Sequence, residues 1–317
     1  MVIRKAIRAC IDEHPELITD TMKALGNDKH KGPRQHLVDE LNQQLMRIMG
    51  PPPHDCKFKD GVFTELDCEF LACWRHFAGD QDSEIVLWLL HGAPAGIDRH
   101  SLGPRMGIFP PSSDKVKDCH EPTYYEAGWQ NYASVEDDPA AEGEVAKLAT
   151  SDYIDAYSSY DELLRDCLTE PIISKLKMIT KTTGERTKRR LIMDCLMSGV
   201  NWKTRQKERI LLPRIADLIY DVLGLLQGCS GSEQIQFLVL DFVDAFFRVP
   251  LSPDERQYFV VKYGDQFLRW DRIAQGSVNG PQLFGRLAAL IGRLTQSTLD
   301  DDRSRLHIYL DEPFIAM

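Results

Sequence analysis

The chain has 317 residues, 43% hydrophobic and 27% charged, with a formal net charge of −10 at pH 7. This composition is typical of a globular protein with room for two ordinary cores, and it excludes a chain that is disordered throughout. The most apolar run, residues 85–90, is too short to span a bilayer, and the polar start of the chain predicts no secretory leader. We therefore expect an intracellular protein, cytoplasmic or nuclear, with no membrane partner.

The first fifty residues carry a helical pattern. Leu37, Leu41, Leu45 and Ile48 recur at helical spacing, and Gly50, followed by three prolines, ends the pattern. We expect a mostly helical N-terminal segment over residues 1–50, built as a helical hairpin, with a boundary near residue 50.

The second region, residues 51–145, gives mixed signals and no indication of its role. We expect a turn at residues 88–94 and a loop over residues 104–118. The acidic stretch 136–144 is punctuated by proline and glycine and is predicted to be a linker. The third region would then run over residues 146–317.

The eight cysteines are scattered and predict reduced thiols instead of a disulfide framework. Cys68, Cys73 and His76, with His54 and Cys56 upstream, have the residue types of a zinc site. Their spacing is not one of the standard pairs, and aromatic and apolar residues lie between them as they would in a core. We therefore favour packing over metal binding here.

The third region predicts an α+β fold. Its signals are a helix over residues 153–167, a hairpin of residues 177–181 and 190–194, a helix from Pro213 to Gly228, a hairpin of residues 258–263 and 266–270, and a helix from Pro281 to Leu294. Strands joined by short turns between helices favour an antiparallel sheet with helices on one face.

Two strands of this region end in carboxylates. The apolar, β-branched run 235–240 predicts a strand packed on both faces, and Asp241 follows it. Residues 306–310 alternate in polarity and lead to a tight acidic turn at Asp311 and Glu312. Mg²⁺ in proteins takes one or two carboxylates and completes its shell with water and phosphate, so these acids are candidate metal ligands for nucleotide chemistry.

Four blocks of the third region, in order, resemble the fingers and palm of a reverse transcriptase. They are Arg190-Leu-Ile-Met-Asp194 with Asn201, which precede Leu212-Pro213-Arg214-Ile215; Asp241-Phe-Val-Asp-Ala-Phe-Phe; Gln275-Gly-Ser-Val-Asn-Gly-Pro281; and Tyr309-Leu-Asp-Glu312. Over residues 171–317 the chain thus resembles a retrotransposon reverse transcriptase of the Gypsy, LTR-retroelement type. The resemblance implies a right-hand polymerase fold limited to fingers and palm.

The same resemblance implies an RNA-directed DNA polymerase. Asp241, Asp311 and Glu312 would bind two Mg²⁺ (or Mn²⁺) ions and catalyse transfer of a nucleotide from a dNTP to a primer 3′-OH. The implied partners are an RNA or DNA template-primer and dNTPs, and no stable protein partner is indicated.

Other residues acquire roles by the same route. Those implied in nucleotide binding are Lys181, Arg190, Phe246, Gln275 and Gly276, and those implied in contacts to nucleic acid are Lys188, Arg189 and Tyr309. Lys188 and Arg189 compete with Lys181 and Arg190 for the grip on the triphosphate. Phe246 is either the steric gate against a ribose 2′-OH or a core residue, and Asp244 is interpreted as structural.

Two departures favour an alternative. Glu312 stands where the family has Asp, and the sequence stops at Met317, before the family's thumb and ribonuclease H domains. The alternative is a truncated, inert remnant that at most binds nucleic acid through a basic stretch. Residues 175–210 hold eleven basic residues against three acids, a local net charge of +8.

Overall fold

The computed structural model describes residues 2–26, 32–51, 66–97, 107–112, 121–184 and 186–317. Over these residues the protein is a mixed α+β fold with small sheets. In this described part, no helix combines the length and the apolar character needed to cross a bilayer.

The N-terminal part is helical. Its helices are α1 (Val2–Glu13), α2 (Glu16–Gly26), α3 (Gln35–Met49), α4 (Cys68–Ala78) and α5 (Ile85–His91). Helix α3 confirms the helical spacing of its leucines and ends at Gly50, which has φ 81°. The expected two-helix hairpin is wrong, because three described helices precede residue 50. Helix α1 ends before Pro15, which has no backbone N–H to continue it.

Two expectations for residues 51–145 are also wrong. Trp88 lies inside α5, and the turn begins only at Gly92, which has φ 93°. Most of stretch 136–144 is helical, divided between α6 (Ala133–Glu136) and α7 (Ala140–Thr150). Alanines favour the helix, and Pro139 precedes its first turn, where proline is tolerated. The loop expected at residues 104–118 lies largely outside the described residues.

A strand replaces the start of the helix expected at residues 153–167. Strand β1 (Ile154–Tyr157) is followed by α8 (Tyr160–Arg165), which begins after the N-cap Ser159. Ile154 and Tyr157 are both buried three residues apart, a spacing that imitates one helix face. These residues form a strand because they pair with the distant residues 267–270.

The remaining elements follow the expected order, except that the short strand at residues 173–174 and the short helix at residues 200–203 were not predicted. They are β2 (Ile173–Ser174), β3 (Leu176–Thr183), β4 (Arg186–Met193), α9 (Val200–Lys203), α10 (Ile215–Gly228), β5 (Phe237–Val239), β6 (Val260–Tyr263), β7 (Gln266–Trp270), α11 (Gly280–Gln296), β8 (Arg305–Tyr309) and β9 (Glu312–Ala316). The structure confirms both hairpins, whose turns contain Gly184 at φ 59° and Gly264 at φ 57°. Of the first turn, Glu185 lies outside the described residues.

Within the described part of the chain the strands form three sheets, so the expectation of one antiparallel sheet is wrong. The orders are β1-β7-β6-β2, β3-β4 and β5-β9-β8, and β2 runs parallel to β6. Helix α11 packs against β8 and against α4 and α5. One hydrophobic core contains residues of α5, β3, β7 and α11, so it crosses the predicted boundary at residue 145. The division into 1–50, 51–145 and 146–317 stays a prediction.

Two predicted core elements are exposed. Strand β5 was expected to be packed on both faces, but it is an edge strand in which Phe237 is 54% and Val239 61% exposed. In α10 the apolar stripe is largely open to solvent, and Leu225 is the residue that is fully buried. The apolar residues correctly predicted a strand and a helix, but they did not show that both elements are largely exposed to solvent.

A buried ionic group lies where β1 meets β7. Asp271 forms an ion pair with the guanidinium of Arg256, with an N–O distance of 2.9 Å, and Arg269 donates to Asp155 at 2.7 Å. Burial raises the pKa of Asp271 to about 6, above its ordinary 3.8. The native state therefore holds this proton more tightly than the unfolded chain does.

The raised pKa predicts a pH-dependent stability. The contribution is present below pH 4 and is lost as pH rises through 6, because the folded state must then hold an ionised carboxylate in a buried place. The loss corresponds to about 3 kcal/mol. We expect the stability of the Asp271→Asn variant, in urea unfolding between pH 4 and 7, to lack this component. A stability difference between the two proteins that is constant with pH would contradict the assignment.

Candidate functional site

The ends of β5 and β9 bring the acidic residues together. The N–H of Leu240 donates to the carbonyl of Pro313 at 2.9 Å, and the N–H of Phe242 donates to the carbonyl of Asp311 at 2.8 Å. These bonds continue the antiparallel register of β5 and β9. Asp241 lies between them and therefore opposite Glu312. The backbone thus places residues 241, 311 and 312 at one end of the sheet.

The tight turn is one residue earlier than expected. Tyr309 pairs with Glu312, so Leu310 and Asp311 form the turn and Glu312 is the first residue of β9. Leu310 has φ 55°, a left-handed conformation that costs a side chain of this kind about 1–2 kcal/mol. Its side chain lines an apolar cavity of about 240 Å³ between α11, β8 and residues 210–213.

The carboxylates differ in exposure. Asp241 and Glu312 are exposed and Asp311 is half-buried. Among the described residues, no three His, Cys, Asp or Glu side chains are grouped so that they could hold a metal ion. Residues 241, 311 and 312 are therefore neighbours in the backbone register, but their side chains do not form such a group.

Phe246 packs on α11. Its ring is half-buried, and its centroid lies 5.7 Å from that of Phe284. A Cβ at Gly280 would meet the Phe246 ring at 3.3 Å. These contacts are those of the core interpretation, and the steric-gate role stays a prediction. The neighbouring Asp244 has φ 54° and accepts a hydrogen bond from the Tyr153 hydroxyl at 3.3 Å, which agrees with a structural role.

The loop at Gln275 and Gly276 is fixed to the end of β4. The N–H of Met193 donates to the carbonyl of Gln275 at 2.8 Å. The amide of Asn201 donates to the carbonyl of Gly276 at 2.9 Å and accepts from the N–H of Val278 at 2.9 Å. Gly276 has φ 120°, and a Cβ there would overlap the carbonyl of Met193. Glycine at this position is thus required by the close approach of protein backbone.

The β3–β4 hairpin divides its cations between two faces. Lys181 pairs with Lys188, and Ile179 pairs with Arg190. Paired residues point to the same side and neighbours alternate, so Lys181, Lys188 and Arg190 share one face with Lys177. We call Lys177, Lys181, Lys188 and Arg190 the basic face.

Arg189 lies on the other side of the hairpin. It pairs with Thr180, on the side of the buried Met178 and Leu191, and it is only half-exposed. Arg189 and Lys188 therefore start from opposite faces of the hairpin, and the choice among the competing phosphate-binding candidates stays a prediction. Tyr309, the third residue implied in nucleic-acid contact, is 56% exposed beside the acidic turn.

The cysteines considered for zinc are placed in helix α4. Cys68 and Cys73 are buried, and Cys73 packs in an apolar cluster with Ile3, Leu45 and Met49. His76 is exposed. The two upstream candidates, at positions 54 and 56, lie outside the described residues.

Sequence reasoning missed residues at 131 and 132. The Tyr132 hydroxyl donates to Asp194 at 2.5 Å, and Asn131 bridges β3 and β6 through its side chain. These contacts join positions tens of residues apart, and no local pattern in the sequence marks them.

Comparison with known proteins gives one sequence relation. A stretch of 103 residues is 35% identical to the Gag-Pol polyprotein of avian reticuloendotheliosis virus, covering 31% of this chain and 8% of that polyprotein. Part of this chain is therefore related in sequence to a retroviral Gag-Pol polyprotein. No protein-family model matches the chain.

Solved structures give weaker similarities. Native prototype foamy virus protease-reverse transcriptase has a TM-score of 0.40 and 14% identity, covering 63% of this chain and 22% of that one. A foamy viral protease-reverse transcriptase in complex with dsDNA has a TM-score of 0.42 and 14% identity, covering 68% of this chain and 38% of that one. Similarity at this level does not establish a common fold, and this chain spans less than half of either protein.

The packing around Gly276 predicts that replacing this glycine strongly destabilises the fold. In Gly276→Ala the new methyl group must displace the Met193 carbonyl at an unfavourable φ, and we expect the free energy of unfolding to fall by about 2–4 kcal/mol. The matched control is Gly224→Ala in α10, where a Cβ meets nothing within 4 Å and should add up to about 1 kcal/mol of stability. Equal stability of the two variants in urea unfolding would refute this account of Gly276.

Proposed function

We propose that this chain is a reverse-transcriptase fragment of a retroelement polyprotein, an RNA-directed DNA polymerase in its fingers and palm portion. The observation that carries the proposal is the backbone register that sets Asp241 opposite Glu312 and one residue from Asp311. The partial relation to a retroviral Gag-Pol polyprotein supports the same class. The narrower assignment to a Gypsy-type LTR retrotransposon is kept as a prediction.

The proposed chemistry is nucleotidyl transfer assisted by two Mg²⁺ or Mn²⁺ ions. Asp241 and Asp311, with Glu312 beside them, would hold the metal ions, whose chemistry there would be to neutralise charge on the phosphates. The exposed position of Asp241 and Glu312 leaves room for water, primer and triphosphate at the strand ends. The carboxylates of these residues would bind the metal ions and orient the substrates, and the basic face would contact the triphosphate.

The nucleotide would lie between two elements. Lys181 and Arg190 project from the same side of the β3–β4 hairpin, and Gln275 and Gly276 lie in the loop fixed to the end of β4. Arg190 suits this role because a guanidinium can donate paired hydrogen bonds to phosphate oxygens. Phe246, which packs on α11 after this loop, would select deoxyribose by excluding a ribose 2′-OH.

Primer extension tests the catalytic proposal. With an oligonucleotide annealed to RNA, dNTPs and Mg²⁺ or Mn²⁺, we expect incorporation that falls at least about 100-fold in Asp241→Asn and in Asp311→Asn, because each removes a metal ligand. Asp265→Asn in the exposed turn between β6 and β7 is the matched control and should retain activity. Incorporation that survives in the double variant Asp241→Asn/Asp311→Asn would exclude this site as the catalyst.

A second candidate function is nucleic-acid binding without catalysis. The observation that favours it is the basic face, whose cations share one side of an exposed hairpin, in a chain of net charge −10. Cations so concentrated bind phosphate backbone even when the whole protein is acidic.

Charge reversal on the basic face tests binding alone. We expect Lys188→Glu/Arg190→Glu to weaken affinity for RNA at least about tenfold and to lower the salt dependence by about two phosphate contacts. Arg165→Glu/Arg303→Glu changes the net charge equally at exposed sites elsewhere and is the control. Fluorescence anisotropy over a salt series measures both. Identical binding curves for the two double variants would show that the basic face is not the binding surface.

A further inference from the structure

The proposed nucleotide site depends on contacts at the end of β4. Met193, the last residue of that strand, holds Gln275, and Asn201 holds both Gly276 and Val278. The loop at residues 275–278 is thereby set relative to the hairpin that carries the basic face. Whatever fixes the end of β4 also fixes the distance between the two sides of this site.

The residue after β4 is fixed by a tyrosine from far upstream. Asp194 accepts the Tyr132 hydroxyl at 2.5 Å on one carboxylate oxygen and the N–H of Met197 at 3.0 Å on the other. The N–H of Asp194 donates to the carbonyl of Lys175 at 2.8 Å. The hydrogen bond to Asp194 raises the pKa of Tyr132, which keeps the hydroxyl protonated as a donor.

The segment that holds Tyr132 is itself attached on two sides. The N–H of Tyr132 donates to the carbonyl of Leu176 at 3.1 Å, and the N–H of Leu176 donates to the side chain of Asn131 at 2.9 Å. The amide of Asn131, which is 8% exposed, donates to the carbonyl of Lys262 in β6 at 2.9 Å. Residues 131 and 132 therefore connect the β3–β4 hairpin to the sheet that contains β6.

We propose that Tyr132 is a positioning residue for the nucleotide site, acting through Asp194 and Met193 on the loop at residues 275–278. This inference rests on the proposed function. Tyr132 lies outside residues 171–317, which carry the resemblance to reverse transcriptases. Its hydroxyl bonds to Asp194, outside the acidic turn and the loop, so its expected effect is on the geometry of binding and not on the chemical step.

We expect the effect to depend on the hydroxyl, which is the donor to Asp194. The Tyr132 ring is half-buried, and the ammonium of Lys177 lies 5.9 Å from its centroid. Tyr132→Phe keeps the ring, this cation contact and the backbone bond to Leu176 but removes the donor to Asp194. The end of β4 then keeps its strand pairing and loses its fixed connection to residue 132.

Nucleotide affinity is the first measurement. We expect Tyr132→Phe to weaken binding of dTTP with Mg²⁺, by isothermal calorimetry, about five- to tenfold, and to raise the KM for dTTP equally while kcat stays within about twofold. Tyr124→Phe, in the same segment and 40% exposed, is the matched control and should change neither. A merely structural role would lower the active fraction and kcat without changing KM.

Hydrogen exchange tests the linkage independently of activity. In Tyr132→Phe we expect the N–H groups of Met193 and Val278 to exchange at least about tenfold faster than in Tyr124→Phe. Asp194→Asn, which keeps an acceptor oxygen, should give a smaller change than Asp194→Ala, and adding Tyr132→Phe to Asp194→Ala should add nothing further.

The outcomes separate the two claims. Unchanged exchange at Met193 and Val278 in Tyr132→Phe overturns the positioning inference, whatever the protein binds. Unchanged dTTP affinity in Tyr132→Phe, when the unaltered chain binds dTTP, overturns it also. Absence of dTTP binding by the unaltered chain contradicts the proposed function, and the exchange rates then decide the linkage on their own.

Discussion

The guanidinium of Arg286 is a buried charge that joins helix α11 to the start of α5 and to the residues just before it. It donates to the carboxylate of Asp82 and, at 3.1 Å, to that of Glu84, and its centre lies 4.3 Å from the ring centroid of Trp88. The Arg286 and Asp82 side chains are 1% and 0% exposed. Removing such ions from water costs several kcal/mol each, and only their mutual pairing offsets it. Helix α11 must therefore pack against the start of α5 in a position that keeps these ion pairs intact.

Helix α11 transmits that constraint to the acidic turn. Phe284, two residues before Arg286, contacts the ring of Phe242, which directly follows Asp241. About two turns further along the helix, a Cβ at Gly292 would meet the side chain of Ile308 at 3.0 Å, so β8 lies against the helix backbone. Both strand ends that carry the acids are thus supported by one helix, whose own position depends on residues near 82. The N-terminal helices are part of the framework of the site.

Local signals in the sequence predicted the elements of residues 171–317 well. Gly184 and Gly264 mark hairpin turns that need positive φ, and Pro281 marks the first turn of α11, so these elements could be assigned from their own residues, whereas β2 and α9 were not predicted. Long-range pairing could not be assigned in this way. Strand β1 exists because residues 154–157 pair with residues 267–270, and an apolar run cannot show whether its strand is central or, like β5, at an edge.

The site was predictable to the same extent. The adjacency of Asp241 and Asp311 follows from two strands that both end in acids, and the backbone register agrees with it. Strand parity, had it been applied, would have separated Arg189 from Lys188, because neighbours along a strand point to opposite faces. The connection from Tyr132 to Asp194 had no sequence signal at all, since it joins two polar residues through a single tertiary hydrogen bond.

The register also changes the weight of the departure at residue 312. Because β5 and β9 pair in continuous register up to Phe242 and Asp311, Glu312 stands directly across from Asp241, while Asp311 lies in the turn. Like charges directly opposite on neighbouring strands repel, at a cost of about 0.2–1 kcal/mol, and a divalent cation between them would reverse the sign of that interaction. The extra methylene of Glu312 therefore changes the geometry of the Asp241–Glu312 pair. Any loss of metal affinity relative to an aspartate would arise from the geometry of that pair.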